Sequence, residues 1–147
     1  MKKTTVLFIC SHNSARSQIA EEYLRKYCGD AYAVESAGLE PAEQVNPLVV
    51  EVMKEEGVDL SEKKTKSVFD LYKKGNLYDY VVTVCDESDD ARCPVFPGIT
   101  HRLHIPFADP SQLEGTWEER LAQTRQIRDA IKTRLGNPDS PNFLLKM

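Results

Sequence analysis

The 147-residue sequence has no apolar run long enough to cross a bilayer. It has no CxxC pair and no Cys/His set at zinc-finger spacing, so no metal site is expected. No internal repeat, low-complexity tract or Pro/Gly linker divides it, and a single domain spanning 1–147 is expected. A basic excess is missing too. The net charge of −4 argues against nucleic-acid binding, which shows a positive footprint. It does not argue against an anionic substrate, because the field of one loop decides that. Lys2 and Lys3 before the short apolar stretch 6–10 imitate a signal peptide. The stretch is too short, and Ser11-His12-Asn13-Ser14 ends it without a cleavage-like site. A cytoplasmic location is therefore expected, where four cysteines are more often catalytic, metal-binding or core residues than disulfides.

The informative stretch is Cys10-Ser11-His12-Asn13-Ser14-Ala15-Arg16-Ser17. It follows the apolar run 6–9 and leads into a helical pattern. A strand ending at a cysteine, a tight loop and a helix start point several backbone N–H groups at one spot, to which the helix dipole adds positive potential. Such a spot binds a tetrahedral oxyanion. A thiol beside it is expected as a thiolate, because helix N-termini and nearby Arg favour the ionised sulfur. Five residues separate Cys10 from Arg16, which lets the loop curl so that the guanidinium faces the sulfur across the anion.

Along the chain, strand-like runs occupy 4–9, 31–35, 80–84 and, more weakly, 102–105. Helical patterns lie at 14–27, 47–56, 68–74 and 116–135. The first carries Ile19, Ala20, Tyr23, Leu24 and Tyr27 on one face. The second has Asn46 as N-cap, Pro47 at its first position and Gly57 as stop. In the last, Leu121, Ile127, Ile131 and Leu135 form part of an apolar stripe that Gly136 and Pro138 terminate. Strands alternating with helices predict a parallel sheet covered on both faces, with ligands beyond the carboxyl ends of the strands. Cys10, Cys85 and Asp109 each follow a strand, so all three fall on the same sheet edge.

These residues resemble the low-molecular-weight protein tyrosine phosphatase family. Cys-x5-Arg-Ser near the N-terminus and Asp109-Pro110 late in the chain carry the resemblance, and the pair Cys85 and Cys93 is similar to its thiol-dependent arsenate reductase branch. Segments 13–21, 36–38, 82–86, 93–98 and 107–110 fit in order. The resemblance implies an α/β fold with a four-stranded parallel sheet flanked by helices. Departures are informative. Many members have Gly at His12 and a second Cys at Ala15. Gln18 stands where the phosphatase branch usually carries Pro, and Ser111 where it often carries Tyr; both departures favour the reductase. Some reductases bind potassium beside the loop. Asn13, Glu21, Ser36 and Thr65 match that oxygen set, whereas Ser67 stands where they carry Asp.

The resemblance implies the following roles. Cys10 is the nucleophile, and Ser11, His12, Asn13, Ser14, Ala15, Arg16 and Ser17 bind the substrate. Ser17 donates to the thiolate, Asn13 takes a left-handed backbone conformation or braces the loop, and Asp109 is the general acid. An ordinary Asp-Pro turn is the plainer reading of Asp109. Cys85 and Cys93 form the relay: a Cys10–Cys85 disulfide, then Cys85–Cys93, reduced by thioredoxin or a similar thiol. If residues 85–93 stayed helical, their Cα atoms would lie roughly 12 Å apart, against about 5.5–6 Å in a disulfide. The segment must therefore loop or rearrange, and its polar stretch 86–92 can be remodelled at small cost to the core. The expectation is a monomeric arsenate reductase without organic cofactor, acting on arsenate, apart from nucleic acid and membrane. The alternatives are a phosphatase working through phospho-Cys10 and a non-catalytic oxyanion-binding regulator. Cys28 reads as a packing residue.

Overall fold

The computed structural model describes residues 3–85 and 101–135. Among them are four strands, β1 (Thr4–Cys10), β2 (Tyr32–Gly38), β3 (Tyr80–Thr83) and β4 (His101–His104). The helices are α1 (Arg16–Cys28), α2 (Pro47–Lys54), α3 (Val68–Lys73) and α4 (Trp117–Leu135), with a 3-10 turn at Pro110–Gln112. The strands form one parallel sheet in the order β2-β1-β3-β4, as expected. The chain leaves β1 toward one neighbour and later crosses to the other. The crevice beyond the carboxyl end of β1 is therefore the topological switch point, where such sheets hold ligands.

Side chains of β1 alternate between two cores, as the pleat requires. Val6, Phe8 and Cys10 join residues of α1, α2 and α4 in the larger cluster. Leu7 and Ile9 face a smaller one with Val68 and Leu71 of α3. Both faces of β1 are thus covered, which accounts for its continuous apolar run. Among the described residues, no helix is long and apolar enough to cross a membrane.

Local chemistry sets the helix ends. Asn46 accepts from the Leu48 N–H at 2.9 Å and Pro47 opens α2. Gly57, at φ 77°, reverses the chain after α2, and the Val58 N–H closes on the Met53 carbonyl at 3.0 Å. Strand β2 runs three residues past its expected end. Its partner forces this, because Cys10 pairs with Gly38 and a ladder extends as far as both strands do.

Candidate active site

Residues 11–15 form a loop between β1 and α1 with carbonyls turned outward. Cys10, Ser11, His12 and Ser14 accept from the backbone N–H groups of Leu39, Glu40, Ala42 and Asn46 at 2.8–3.1 Å. The stretch after β2 therefore clamps the outside of the loop and leaves its concave side to amides. Asn13 makes the turn with φ 52°, a region Asn tolerates better than most residues. Gly38 is required behind it: a Cβ there would lie 2.6 Å from the Asn13 nitrogen and 2.8 Å from the His12 carbonyl carbon. Ala15 precedes α1, whose first turn has no side-chain cap. Uncapped first-turn amides are the groups that bind an anion at a helix start.

The Cys10 sulfur sits inside this cup, 2 % exposed. The Asn13 N–H donates to it at 3.2 Å, and Ser17 Oγ lies 2.9 Å away. Asn13 Nδ2 donates to Ser17 Oγ at 2.8 Å, leaving the Ser17 hydroxyl proton available to the sulfur. The orientation of the Asn13 amide is set elsewhere. Its Oδ1 accepts the Lys66 N–H at 2.8 Å and Gln18 Nε2 at 3.1 Å, so Nδ2 must point inward, where it also donates to Ser36 Oγ at 3.0 Å. Asn13 thus combines the left-handed backbone with the bracing expected of it. His12 stands exposed at the mouth of the loop. Its Nδ1 lies 2.9 Å from the Glu40 carbonyl, which can only accept.

Arg16, 2 % exposed, donates from Nη1 to the Phe107 carbonyl at 3.3 Å. Its Nη2 lies 3.4 Å from Asp109 Oδ2. Asp109 comes from the far side of the sheet. The backbone after β4 tracks β3, with Ile105 N–H on Thr83 O at 2.8 Å and Phe107 N–H on Val84 O at 3.3 Å, and this carries Asp109 to the loop. Its other oxygen accepts the Ser111 N–H at 2.9 Å and the Ser111 hydroxyl at 2.8 Å. Asp109 is therefore both the turn-forming residue of the plainer reading and a carboxylate facing Arg16.

Cys85 follows β3 and is fully buried. Ile9 pairs with Thr83, and the Val84 N–H donates to the Ile9 carbonyl at 2.8 Å. Cys10 and Cys85 thus end neighbouring parallel strands at the same edge of the sheet. Cys93 and the polar stretch 86–92 lie outside the described residues. Cys28 is buried in the larger core, where burial pushes its thiol up.

The oxygen set near the loop does not fit a potassium ion while Lys63 occupies Glu21. The Glu21 carboxylate is engaged by Lys63, Arg25 and Ser36. Thr65 donates its hydroxyl to the Ala42 carbonyl, and Ser67 Oγ accepts the Phe69 N–H at 3.2 Å as the cap of α3. Among the described residues, no three His, Cys, Asp or Glu side chains gather as a metal site.

Residues 5–136 match the family described as low molecular weight phosphotyrosine protein phosphatase. The chain belongs to that family. Arsenate reductase from Halalkalibacterium halodurans is 43 % identical over 136 residues, covering 92 % of this chain and 94 % of that protein. The crystal structure of arsenate reductase from Archaeoglobus fulgidus matches with TM-score 0.63 at 32 % identity, over 90 % of this chain and 99 % of that one. A thioredoxin-dependent arsenate reductase from Corynebacterium glutamicum matches with TM-score 0.61 at 32 % identity, over 99 % of this chain and 64 % of that one.

In this phosphatase-family chain, sequence reasoning passed over the props of the loop. In the sequence, Gln18 reads only as a departure from Pro. In the fold it is fully buried, and its Nε2 reaches the Asn13 carbonyl at 3.0 Å and the Lys64 carbonyl at 3.2 Å. Lys63, Lys66 and Gly38 also escaped notice as supports of the site. Only the glycine left a usable signal, since Ser36-Ala37-Gly38 ends a strand where close backbone approach is common.

Proposed function

We propose that this protein reduces arsenate to arsenite through a three-cysteine relay. The observation that carries the reading is the placement of two buried thiols, Cys10 in the amide cup and Cys85 just past the end of the next strand, at one edge of the sheet. The arsenate reductases among its relatives support the choice of substrate.

Arsenate is bound by the loop 11–17 and by Arg16, whose planar donors match two of its oxygens. The Cys10 thiolate attacks arsenic. A sulfur–arsenic bond forms, and one arsenate hydroxyl leaves as water after taking a proton from Asp109. The Cys85 thiolate then attacks the Cys10 sulfur. The Cys10–Cys85 bond forms, the sulfur–arsenic bond breaks, and its electron pair stays on arsenic, which departs as arsenite. The Cys93 thiolate attacks Cys85 and releases Cys10 as a thiolate. A dithiol reductant of the thioredoxin class returns the Cys85–Cys93 disulfide to two thiols, a choice supported by the thioredoxin-dependent relative. The whole chain acts as one cytoplasmic, monomeric catalytic domain, and its electrons travel through thiols without an organic cofactor.

Mass spectrometry after one arsenate turnover without reductant tests the relay. A Cys85–Cys93 bridge is expected; four free thiols would overturn it. A second reading, hydrolysis of phosphate esters through phospho-Cys10, draws on the phosphatase family match and on Asp109 being brought to the loop beside Arg16, where a leaving alcohol would collect its proton. Cys93→Ser separates the two. It abolishes thioredoxin-coupled multiple turnover and leaves ester hydrolysis intact.

A further inference from the structure

Glu21 is 2 % exposed, the one buried carboxylate among the described residues, and the relay above gives it nothing to do. Its oxygens are held from three directions. Oε1 accepts the Ser36 hydroxyl. Oε2 accepts Lys63 Nζ and Arg25 Nη2. Burial on its own would push this carboxyl up. The bonds from Lys63, Ser36 and Arg25 outweigh burial and hold it below its ordinary value. Of the two cations, Lys63 is the inner one, with 24 % of its side chain exposed against 46 % for Arg25.

Glu21 is also joined to the reacting sulfur. Asn13 Nδ2 is the stem of a fork. One hydrogen goes through Ser36 Oγ to Glu21, the other through Ser17 Oγ to Cys10. Each arm ends on a group that bears negative charge in the reacting state. Two buried anions on one fork repel each other, and each weakens the donation the amide makes to the other. A cation on the Glu21 arm relieves both effects.

We propose that Lys63 is a positioning residue: a tethered ammonium that neutralises Glu21, commits the Asn13–Ser17 arm to Cys10, and serves in place of a bound monovalent cation. The inference rests on Cys10 being the reacting sulfur and does not depend on arsenate as its substrate. The misfit of potassium at this oxygen set follows from it, because the carboxylate that would hold the ion already has its charge partner.

Iodoacetamide alkylation of Cys10 at neutral pH tests the proposal, measured in KCl and in NaCl at equal ionic strength, with circular dichroism confirming the fold of each variant. Wild-type protein alkylates equally fast in both salts. Lys63→Met is about three- to tenfold slower in NaCl, the effect of one unit charge a few hydrogen bonds away, and recovers in KCl. Lys63→Arg restores the wild-type rate. In a Glu21→Gln background the penalty of Lys63→Met disappears. Lys63→Gln keeps a donor without the charge and reports on the same question if the Met variant unfolds. A neutral variant matching wild type in NaCl would overturn the proposal. So would wild-type acceleration by potassium, an Arg variant as slow as Met, or a full penalty persisting beside Glu21→Gln. Absent arsenate turnover with this alkylation pattern intact would instead sink the proposed reaction and leave Lys63 its role.

Discussion

Cys10 and Cys28 are 2 % and 5 % exposed, and both belong to the larger apolar cluster. They flank the same helix. Cys10 lies before the N-terminus of α1, where aligned peptide dipoles present positive potential, and Cys28 is its last residue, where the potential is negative. Their partners differ in the same sense. Cys10 receives the Asn13 N–H and faces the Ser17 hydroxyl. At Cys28, burial pushes the thiol up. Burial therefore does not by itself make a thiol inert or reactive. The donors brought to the sulfur decide, and here one helix separates the two cases by its polarity.

The contrast breaks most sharply by substitution. Cys10→Ser lowers arsenate turnover by more than about a thousandfold, as loss of a covalent nucleophile does. Cys28→Ala leaves turnover within about twofold and shows its effect only in stability. Steady-state assays coupled to thioredoxin check both.

Asp109→Asn sharpens the comparison differently, because in the proposed reaction Asp109 serves the substrate's leaving oxygen and not the thiol. Single-turnover arsenate reduction falls by about a hundredfold, while iodoacetamide labelling of Cys10 keeps its rate. Equal loss in both assays would place Asp109 in the architecture of the loop.

Ser17→Ala removes a donor from one sulfur only. Cys10 alkylation slows by about tenfold, the size of one hydrogen bond to a charged group, and Cys28 labelling stays as slow as before. Peptide mass mapping after timed labelling separates the two sites.

The smallest effect is on stability against pH. The Cys28 thiol is raised from its ordinary value of 9.0 in the folded protein. Below that value the thiol is protonated in both states and its contribution to folding is fully present. As pH rises above it, the unfolded chain loses the proton first, and the contribution is lost through the folded value. Urea midpoints measured from pH 8 to 10 fall in the wild type and fall less in Cys28→Ala.

Much of this arrangement is legible along the chain. The run 6–9, the Cys10–Arg16 spacing and the helical period after it place the loop at a strand end. Asn46-Pro47 and Gly57 bound α2 because capping is local chemistry. Asp109 is legible as a turn, and the fold both makes that turn and sets its carboxylate beside Arg16. What escapes is contact between distant segments. Nothing in Glu21-Glu22 marks the first as buried and the second as partly open. Nor does 63–67 announce that one lysine reaches Glu21, that the Lys66 amide orients Asn13, and that Ser67 caps α3.

Sequence alone determined the strand, the loop and the helix start, and set Cys10 and Arg16 at the two ends of that loop, because periodicity, capping and motif spacing act over a few residues. Tertiary structure decided how those residues are held. The sheet order set Cys85 beside Cys10. The clamp after β2 turned the loop amides inward. The Lys66 N–H, some fifty positions away, supplied one of the two donors that orient Asn13. Hydrogen bonds and charges act through space, and only the folded chain brings their partners within reach.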